Sequence, residues 1–395
     1  MDKSYFDLSV ERRGTDSKKY SPDFFAEDVI PLWIADTDFL CPPEIIETVT
    51  QRANAGVYGY PNNNMDFAEA AQSWLLRRFG LLVDACNVQS VPGTIHGVIC
   101  TLRAVTNPGD GVLIQTPAYP PFYEAIRKNN RTVVSNELEL INGHYEIDFS
   151  SLEKALARTD VKAMIICNPH NPTGRAFTKA ELQRISELCL RYEVFVIADE
   201  IHADITYKPH THTPYASLSE AAAKNSVLCI NPSKTFNIAG LRTAAIISFD
   251  SNIQSRVSLE VSANKTYGRN IFGAAAFVTA YTKCDEYADL LLEYLADNLK
   301  VVREKLSPLD GITLIEPEGT YLLWLDCRGM GLTQANLKSF FVNEAKVGLN
   351  DGATFGDGGI GFMRLNIGCQ SQTLERALNN IVEAYIKWKE KKPHD

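Results

Sequence analysis

The stretch Val227-Leu228-Cys229-Ile230-Asn231-Pro232-Ser233-Lys234 joins a short apolar run to a lysine. Four apolar residues followed by turn-forming residues are typical of a buried strand, so the lysine is expected just past the carboxyl end of that strand. A lysine held beside small residues can bond to an aldehyde if its surroundings keep its amine partly deprotonated. The same pattern suits a surface lysine in a turn, and this stretch alone does not distinguish the two.

A second apolar run, Val194-Phe195-Val196-Ile197-Ala198, ends in Asp199 and Glu200. Its continuous apolar character is typical of a parallel strand buried on both faces, and open α/β sheets bind ligands at the carboxyl ends of such strands. A carboxylate at this edge can pair with the protonated ring nitrogen of a pyridine-type cofactor. An aspartate at such a turn also commonly caps a helix, so both roles of Asp199 remain open at this point.

A third predicted strand, Ala163–Cys167, leads into Asn168-Pro169-His170-Asn171-Pro172-Thr173-Gly174. Two Asn-Pro steps exclude a helix or a central strand and predict a constrained loop. This loop, followed by the blocks around Asp199 and Lys234 in that order, resembles class I and II aminotransferases and related enzymes that use pyridoxal 5′-phosphate (PLP). The resemblance implies that Lys234 bonds to the PLP aldehyde as the catalytic lysine, Asp199 pairs with the pyridine nitrogen and Asn171 hydrogen-bonds the phenolic oxygen.

The same resemblance implies further contacts to the cofactor. Thr94 and Ile95 precede a helical run, and amides at a helix N-terminus can hold a phosphate. Tyr119 matches the family aromatic residue that stacks on the pyridine ring. Tyr60 resembles a tyrosine that reaches the phosphate of the neighbouring subunit, which implies a homodimer with a shared active site. The remaining implied cofactor contacts are Ser233 and Arg242.

Substrate contacts are implied by a block near the C-terminus. Gly361-Phe362-Met363-Arg364-Leu365-Asn366 resembles the strand whose arginine pairs with the substrate α-carboxylate, a geometry that guanidinium serves well. Arg364 is therefore the expected carboxylate-binding residue. Ala35 and Tyr119 are the other expected substrate contacts.

Several blocks resemble one branch of this family, the cystathionine β-lyases of the MalY/PatB type. They include residues 31–39, residues 57–60 and the segment after Asp199, where His202 occupies the place of a tyrosine found in many aminotransferases. The branch implies β-elimination from a sulfur-containing amino acid, with His202 as a further cofactor contact. Arg242 is more typical of aminotransferases, so transamination stays an alternative. A PLP-binding regulator of a transcription factor is the alternative of another class.

Composition narrows the class of protein. The 395 residues carry 39 Lys and Arg against 48 Asp and Glu, a net charge of -9 that argues against a nucleic-acid partner. The opening residues lack an apolar signal core and no apolar run approaches membrane-spanning length, which predicts a cytoplasmic protein without a membrane partner. The nine cysteines are scattered without a Cys-x-x-Cys pair, so we expect small buried hydrophobic residues and no metal site.

The alternation of apolar runs with helical patterns predicts an α/β fold of the aspartate-aminotransferase type, which is fold type I of the PLP enzymes. We expect a large, mostly parallel sheet of the seven-stranded type in residues 45–285. Its candidate strands are Val112–Gln115, Ala163–Cys167, Val194–Ala198, Val227–Ile230 and Ala244–Ser248. A smaller α+β domain is expected from residues 1–44 and 286–395, with the proline-rich opening wrapped over it. The final residues 387–393 are expected to be a frayed, solvated helix end.

Overall fold

The structure is a computed structural model that describes residues 1–62, 65–266 and 268–391. Its strands are β1 Ile30–Pro31, β2 Val88–Val91, β3 Gly111–Thr116, β4 Thr132–Ile141, β5 His144–Ile147, β6 Val161–Cys167, β7 Phe195–Asp199, β8 Ser226–Ile230, β9 Ala244–Ser248, β10 Thr313–Ile315, β11 Leu322–Asp326, β12 Val347–Gly348, β13 Asn350–Asp351 and β14 Phe362–Asn366. Its α-helices are α1 Pro43–Asn54, α2 Asp66–Phe79, α3 Thr94–Val105, α4 Pro120–Arg127, α5 Phe149–Leu156, α6 Lys179–Arg191, α7 Glu220–Lys224, α8 Ser251–Ala263, α9 Ile271–Lys283, α10 Asp285–Leu306, α11 Gln334–Ser339 and α12 Ser371–Lys391.

The larger sheet has eight strands in the order β2-β9-β8-β7-β6-β3-β4-β5. The pairs from β8 through β7, β6 and β3 to β4 are parallel, as the apolar strand sequences predict. The eighth strand, β5, is added by a hairpin whose two turn residues, Asn142 and Gly143, both have positive φ. Such residues suit the tight turn that fits the twist of the flanking strands.

The expectation that Ala244–Ser248 belongs to the parallel set is wrong, because β9 runs antiparallel to both of its neighbours. A parallel connection needs a crossover, usually an α-helix. The segment between β8 and β9 contains only the short 3-10 helix Ala239–Leu241, so the chain turns back. Since β2 is in turn antiparallel to β9, β2 points the same way as β8.

Helices cover both faces of this sheet. Alternate residues of β3 and β6 divide between two apolar clusters, with Val112 and Ile114 in one and Leu113 in the other. A capping box of Thr178 and Glu181 begins α6. The predicted α/β architecture of the aspartate-aminotransferase type is therefore confirmed, with eight strands rather than seven.

The second sheet is antiparallel, in the order β10-β11-β14-β13. The proline-rich opening runs along this part of the structure, since β1 pairs with β12 and the Leu32 carbonyl accepts a hydrogen bond from the Asn366 amide at 3.0 Å. The division into residues 45–285 and residues 1–44 with 286–395 stays a prediction.

The expected solvated helix end is present, since Lys387, Lys389, Glu390 and Lys391 are exposed, but the expected fraying is wrong as far as Lys391, because α12 continues to that residue. The half-buried Trp388 ring lies 5.5 Å from the Tyr385 ring and holds the last turns against the protein. The rest of the predicted frayed segment, from residue 392, lies outside the described residues.

The cysteines are mostly, but not all, buried. Seven are buried, Cys41 is half-buried and Cys86 is exposed, so the expectation of a buried hydrophobic residue is wrong for Cys86. It lies in the short 3-10 helix Ala85–Asn87 before β2, which is an edge strand of the large sheet. Within the described ranges, no helix is both long and apolar enough to cross a membrane.

Gly97 allows α3 to lie directly on the sheet. A Cβ added at Gly97 would stand 2.6 Å from Ile246 Cγ2 and 3.3 Å from Val91 Cγ2, so any side chain would push the helix away from β9. This close contact fixes the position of the α3 N-terminus, which begins three residues earlier.

We predict that Gly97→Ala lowers the free energy of unfolding by about 1–3 kcal/mol, because the added methyl overpacks the interface between α3 and β9. Urea denaturation followed by circular dichroism measures the change. In an Ile246→Ala background the same substitution should cost clearly less, because the opposing methyl is gone. If Gly97→Ala lowers the free energy of unfolding by the same amount in the wild type and in the Ile246→Ala background, the contact with Ile246 is not the cause.

Candidate active site

Five strands of the large sheet point in the same direction, so the residues that follow these strands lie at one edge of the sheet. These are β2, β3, β6, β7 and β8, and the carboxyl ends of co-directional strands meet at the same edge. A cavity of about 1000 Å³ opens there. Of the residues predicted from the sequence, its wall contains Ala35, Thr94, Ile95, Tyr119, Asn171, Asp199, His202, Ser233, Lys234 and Arg242.

Lys234 follows β8 and points into this cavity. Its Nζ donates a hydrogen bond to the Ala35 carbonyl, which also accepts from the Tyr321 hydroxyl at 3.2 Å. Burial lowers the pKa of Lys234 to about 8, opposed in part by the nearby carboxylates of Asp36 and Asp199. A surface lysine in a turn is therefore excluded, and roughly a tenth of this amine is neutral and nucleophilic at pH 7, far more than for an ordinary lysine.

Asp199 ends β7 and is buried. Its Oδ1 accepts a hydrogen bond from the Ile201 amide at 3.2 Å, and no α-helix begins there, so the helix-cap alternative is wrong. Burial raises the pKa of Asp199 to about 7, although Lys234 and the Ile201 amide act in the opposite direction. A buried carboxylate of this kind is stabilised when a cationic partner binds beside it.

His202 lies in the turn after β7 and is also buried. Among the described residues its Nδ1 has no hydrogen-bond partner, and this atom is buried. The His202 ring meets the Tyr321 ring edge-on at 6.2 Å. Burial, with the positive charges of Lys234 and Arg364, keeps the pKa of His202 well below its ordinary value. His202 therefore places a neutral imidazole in the cavity wall, with its Nδ1 buried away from the cavity.

Arg364 in β14 lies behind Asn171 as seen from the cavity. Its guanidinium donates to Asn171 Oδ1 and to the Trp33 carbonyl, both at 2.9 Å, while its Nε is buried and has no hydrogen-bond partner in the part of the chain that the structure describes. The same group lies 4.9 Å from the centre of the Phe355 ring. Asn171 forms part of the cavity wall whereas Arg364 does not, so the arginine predicted to bind a carboxylate lies just beneath the surface of the cavity.

The N-terminus of α3 provides backbone donors to the cavity. The first intrahelical bond is donated by Gly97 to the Gly93 carbonyl, so the amides of Thr94 and Ile95 have no acceptor within the helix. Asn231 Nδ2 donates to Thr94 Oγ1 at 3.3 Å, and Asn231 Oδ1 accepts from the Ser233 amide at 2.9 Å. Asn231 thus ties the lysine-bearing loop to this helix.

Two aromatic residues predicted for the site lie in different places. Tyr119 is in the cavity wall, half-buried, with its ring edge-on to Phe122 at 5.6 Å. Tyr60 is fully exposed, at 105% of its reference area, and is not part of the cavity of its own chain.

Sequence reasoning missed Asp36, Asn231 and Tyr321. Asp36 pairs with Arg12 at 2.7 Å, its Oδ1 is buried without a hydrogen bond, and its charge acts on Lys234. The Asn-Pro step before Lys234 could have indicated Asn231. Asp36 and Tyr321 carried no such signal, because their proximity to Lys234 depends on how the small sheet packs against the large one.

The chain belongs to the class I and II aminotransferase family, whose model matches residues 27–381. Within that family it is 39% identical to cystathionine beta-lyase PatB of Bacillus subtilis strain 168, over 96% of this chain and 99% of that protein. It is 34% identical to protein MalY of Escherichia coli K12, over 96% of this chain and 98% of the other. The structure of cystalysin from Treponema denticola, which contains a pyridoxal 5′-phosphate cofactor, superposes with a TM-score of 0.93 at 31% identity and covers 97% of this chain and 98% of that one. The resemblance inferred from the sequence motifs is confirmed.

We predict that Asp199→Asn raises the melting temperature of the cofactor-free protein at pH 8.5 by roughly 3 °C, because it removes a buried carboxylate. The folded-state pKa of about 7 lies above the ordinary value of 3.8, so the cost of ionising Asp199 develops between these values as the pH rises. The increase in melting temperature caused by Asp199→Asn should therefore be smaller at pH 5. Differential scanning calorimetry at both pH values measures it, and an equal or larger gain at pH 5 would contradict the assignment.

Proposed function

We propose that this protein is a PLP-dependent carbon–sulfur β-lyase that cleaves L-cystathionine or a related cysteine S-conjugate to a thiol, pyruvate and ammonia. The observation that carries the proposal is the end-to-end likeness to cystathionine β-lyase PatB, at 39% identity over 96% of the chain. The site supports it, since Lys234, Asp199 and His202 line one cavity at the sheet edge.

The residues present fit PLP. The free amides of Thr94 and Ile95, with Ser233 and Arg242 in the same wall, suit a phosphate. Asp199 is buried and its pKa is raised, so a protonated ring nitrogen beside it would stabilise its ionised form. The imidazole of His202 and the side-chain amide of Asn171, both in the cavity wall, suit the phenolic oxygen. Tyr119 would cover one face of the ring.

When bound, PLP supplies an electron sink that stabilises negative charge at the substrate α-carbon. Arg364 would hold the substrate α-carboxylate, and the buried Nε without a partner supports that role. Lys234, with its lowered pKa, would take the α-proton on Nζ once its amine is free. Loss of that proton and cleavage of the β-carbon–sulfur bond release a thiolate, which would take up the proton held on Lys234 Nζ. The remaining three-carbon enamine, once released, tautomerises to an imine and is hydrolysed by one water to pyruvate and ammonia. Ala35, whose carbonyl holds Nζ, keeps the amine directed into the cavity.

We propose further that the working unit is a homodimer in the cytoplasm. Tyr60 is fully exposed and remote from the cavity wall of its own chain, which supports a role in the phosphate site of a second copy. Val57 and Tyr58, at 72% and 58% exposure, extend the apolar surface around it. Burying such residues between two copies would remove them from water.

Transamination is the second candidate, because Arg242 lines the cavity as in many aminotransferases. The two reactions share proton removal by Lys234 and differ in where the electrons go next. A transaminase returns a proton to the cofactor and then needs a 2-oxo acid to regenerate it. This requirement separates the two candidates experimentally.

We predict that purified protein with PLP releases pyruvate from L-cystathionine through many turnovers without any 2-oxo acid, because β-elimination regenerates the enzyme. A lactate dehydrogenase coupled assay measures the pyruvate. One equivalent or less per active site, with glutamate formed after 2-oxoglutarate is added, would instead establish transamination. Binding of PLP with neither product would support the regulator of a transcription factor.

We predict that Lys234→Ala abolishes the visible absorbance of the lysine-bound cofactor and makes PLP removable by dialysis, because the covalent attachment is lost. Activity should fall by at least about 1000-fold, since the same amine moves the α-proton. Lys224→Ala, at an exposed position on α7, is the matched control and should behave as the wild type. Persistence of the visible band in Lys234→Ala would refute the assignment of this lysine.

A further inference from the structure

Asp16 and Lys18 lie in the N-terminal segment and form part of the wall of the cavity that contains Lys234. Both are exposed. Across the described parts of the chain, the carboxylate of Asp16 has no hydrogen bond or ion pair. The ammonium of Lys18 lies 5.5 Å from the centre of the Phe24 ring and 6.0 Å from that of Trp33, without a carboxylate partner among the described residues.

The backbone directly after Lys18 is firmly held. Lys19 is fully buried and its Nζ donates to Asp38 Oδ2 at 2.8 Å. The Lys19 carbonyl accepts a hydrogen bond from Trp33 Nε1 at 3.2 Å. Asp16 and Lys18 therefore present opposite charges at the cavity from a segment that is anchored to the protein interior.

The charged residues of the cavity wall divide into two groups. Asp199, Lys234 and Arg242 have roles toward the cofactor under the proposed function, and they follow β7 and β8. Asp16 and Lys18 are the charged residues of that wall which the cofactor and the amino-acid head group of the substrate do not require. The cavity, at about 1000 Å³, is at the upper end of small-molecule sites and leaves room beyond the cofactor.

We propose that Asp16 and Lys18 form a binding site for the distal end of the substrate, and that this end is zwitterionic. Asp16 would receive an ammonium group and Lys18 a carboxylate. The favoured substrates are thus thioethers or disulfides whose leaving thiol is itself an amino acid, such as L-cystathionine and L-cystine. This inference rests on the proposed function, because it assumes that the reacting cysteine half binds at Lys234.

The distal contacts are remote from the bond that breaks, so they bind substrate and transition state about equally. Their loss should therefore weaken binding and leave the maximal rate nearly unchanged. S-methyl-L-cysteine carries the same reacting half without a charged distal end. A comparison of the two amino acids isolates the distal contribution.

The test uses holoenzyme variants Asp16→Asn and Lys18→Met, since methionine keeps an apolar chain against Trp33 while removing the charge. Rapid mixing with each amino acid gives its Kd from the first change in cofactor absorbance, which does not depend on product formation. We expect each variant to raise the Kd for L-cystathionine about three- to five-fold, which is the loss expected for a single exposed ion pair. The Kd for S-methyl-L-cysteine should rise less than about two-fold. The same variants should raise KM for L-cystathionine with kcat within about two-fold.

Asp23→Asn and Lys128→Met serve as matched controls, because they remove the same charges from exposed positions outside the cavity wall. These two control variants should leave the Kd for L-cystathionine and the Kd for S-methyl-L-cysteine unchanged. Equal Kd changes for the two amino acids, or none for L-cystathionine, would overturn the distal site. Absence of pyruvate from wild-type enzyme would overturn the lyase reaction alone, because the Kd comparison holds for either reaction of the bound amino acid.

Discussion

The burial of two opposite charges at one sheet edge is the constraint on which the rest of the structure depends. Lys234 and Asp199 follow two adjacent parallel strands, β8 and β7, and burial moves the pKa of each toward the neutral form, to about 8 and about 7. Burying such groups destabilises the folded state, so the packing of the surrounding core must offset that loss. The apolar clusters on both faces of the eight-stranded sheet provide it.

The N-terminal segment connects the small sheet to this charge pair. Asn366 Nδ2, at the end of β14, donates to the carbonyls of Ile34 and Asp36 at 2.7 and 2.6 Å. Between them, the Ala35 carbonyl accepts from Lys234. Residues from the start, middle and end of the chain therefore fix the position of the Lys234 amine. The complete site thus requires the small sheet and the large sheet to be folded and packed together.

The sequence was sufficient to predict the loops that follow single strands. Asn171, Asp199 and Lys234 each follow an apolar run, and local pattern alone places them at the carboxyl edge of the sheet. The reversed direction of β9 was not predictable in this way, because an apolar run carries no information about strand direction. Asp36 was missed for a related reason, since its effect on Lys234 depends on packing between segments about 200 positions apart.

His202 illustrates how burial determines the chemistry of a motif residue. The sequence placed a histidine where many aminotransferases have a tyrosine, but it did not give its protonation state. Burial beside the positive charges of Lys234 and Arg364 keeps this imidazole neutral, and its Nδ1 is left without a partner. A neutral imidazole can donate from one ring nitrogen or accept at it according to tautomer, whereas a phenol at the same place would carry its own acidic proton. The substitution therefore changes which hydrogen bonds the site can offer without adding a charge, and the charge balance at Lys234 is left to Asp199, Asp36 and Arg364.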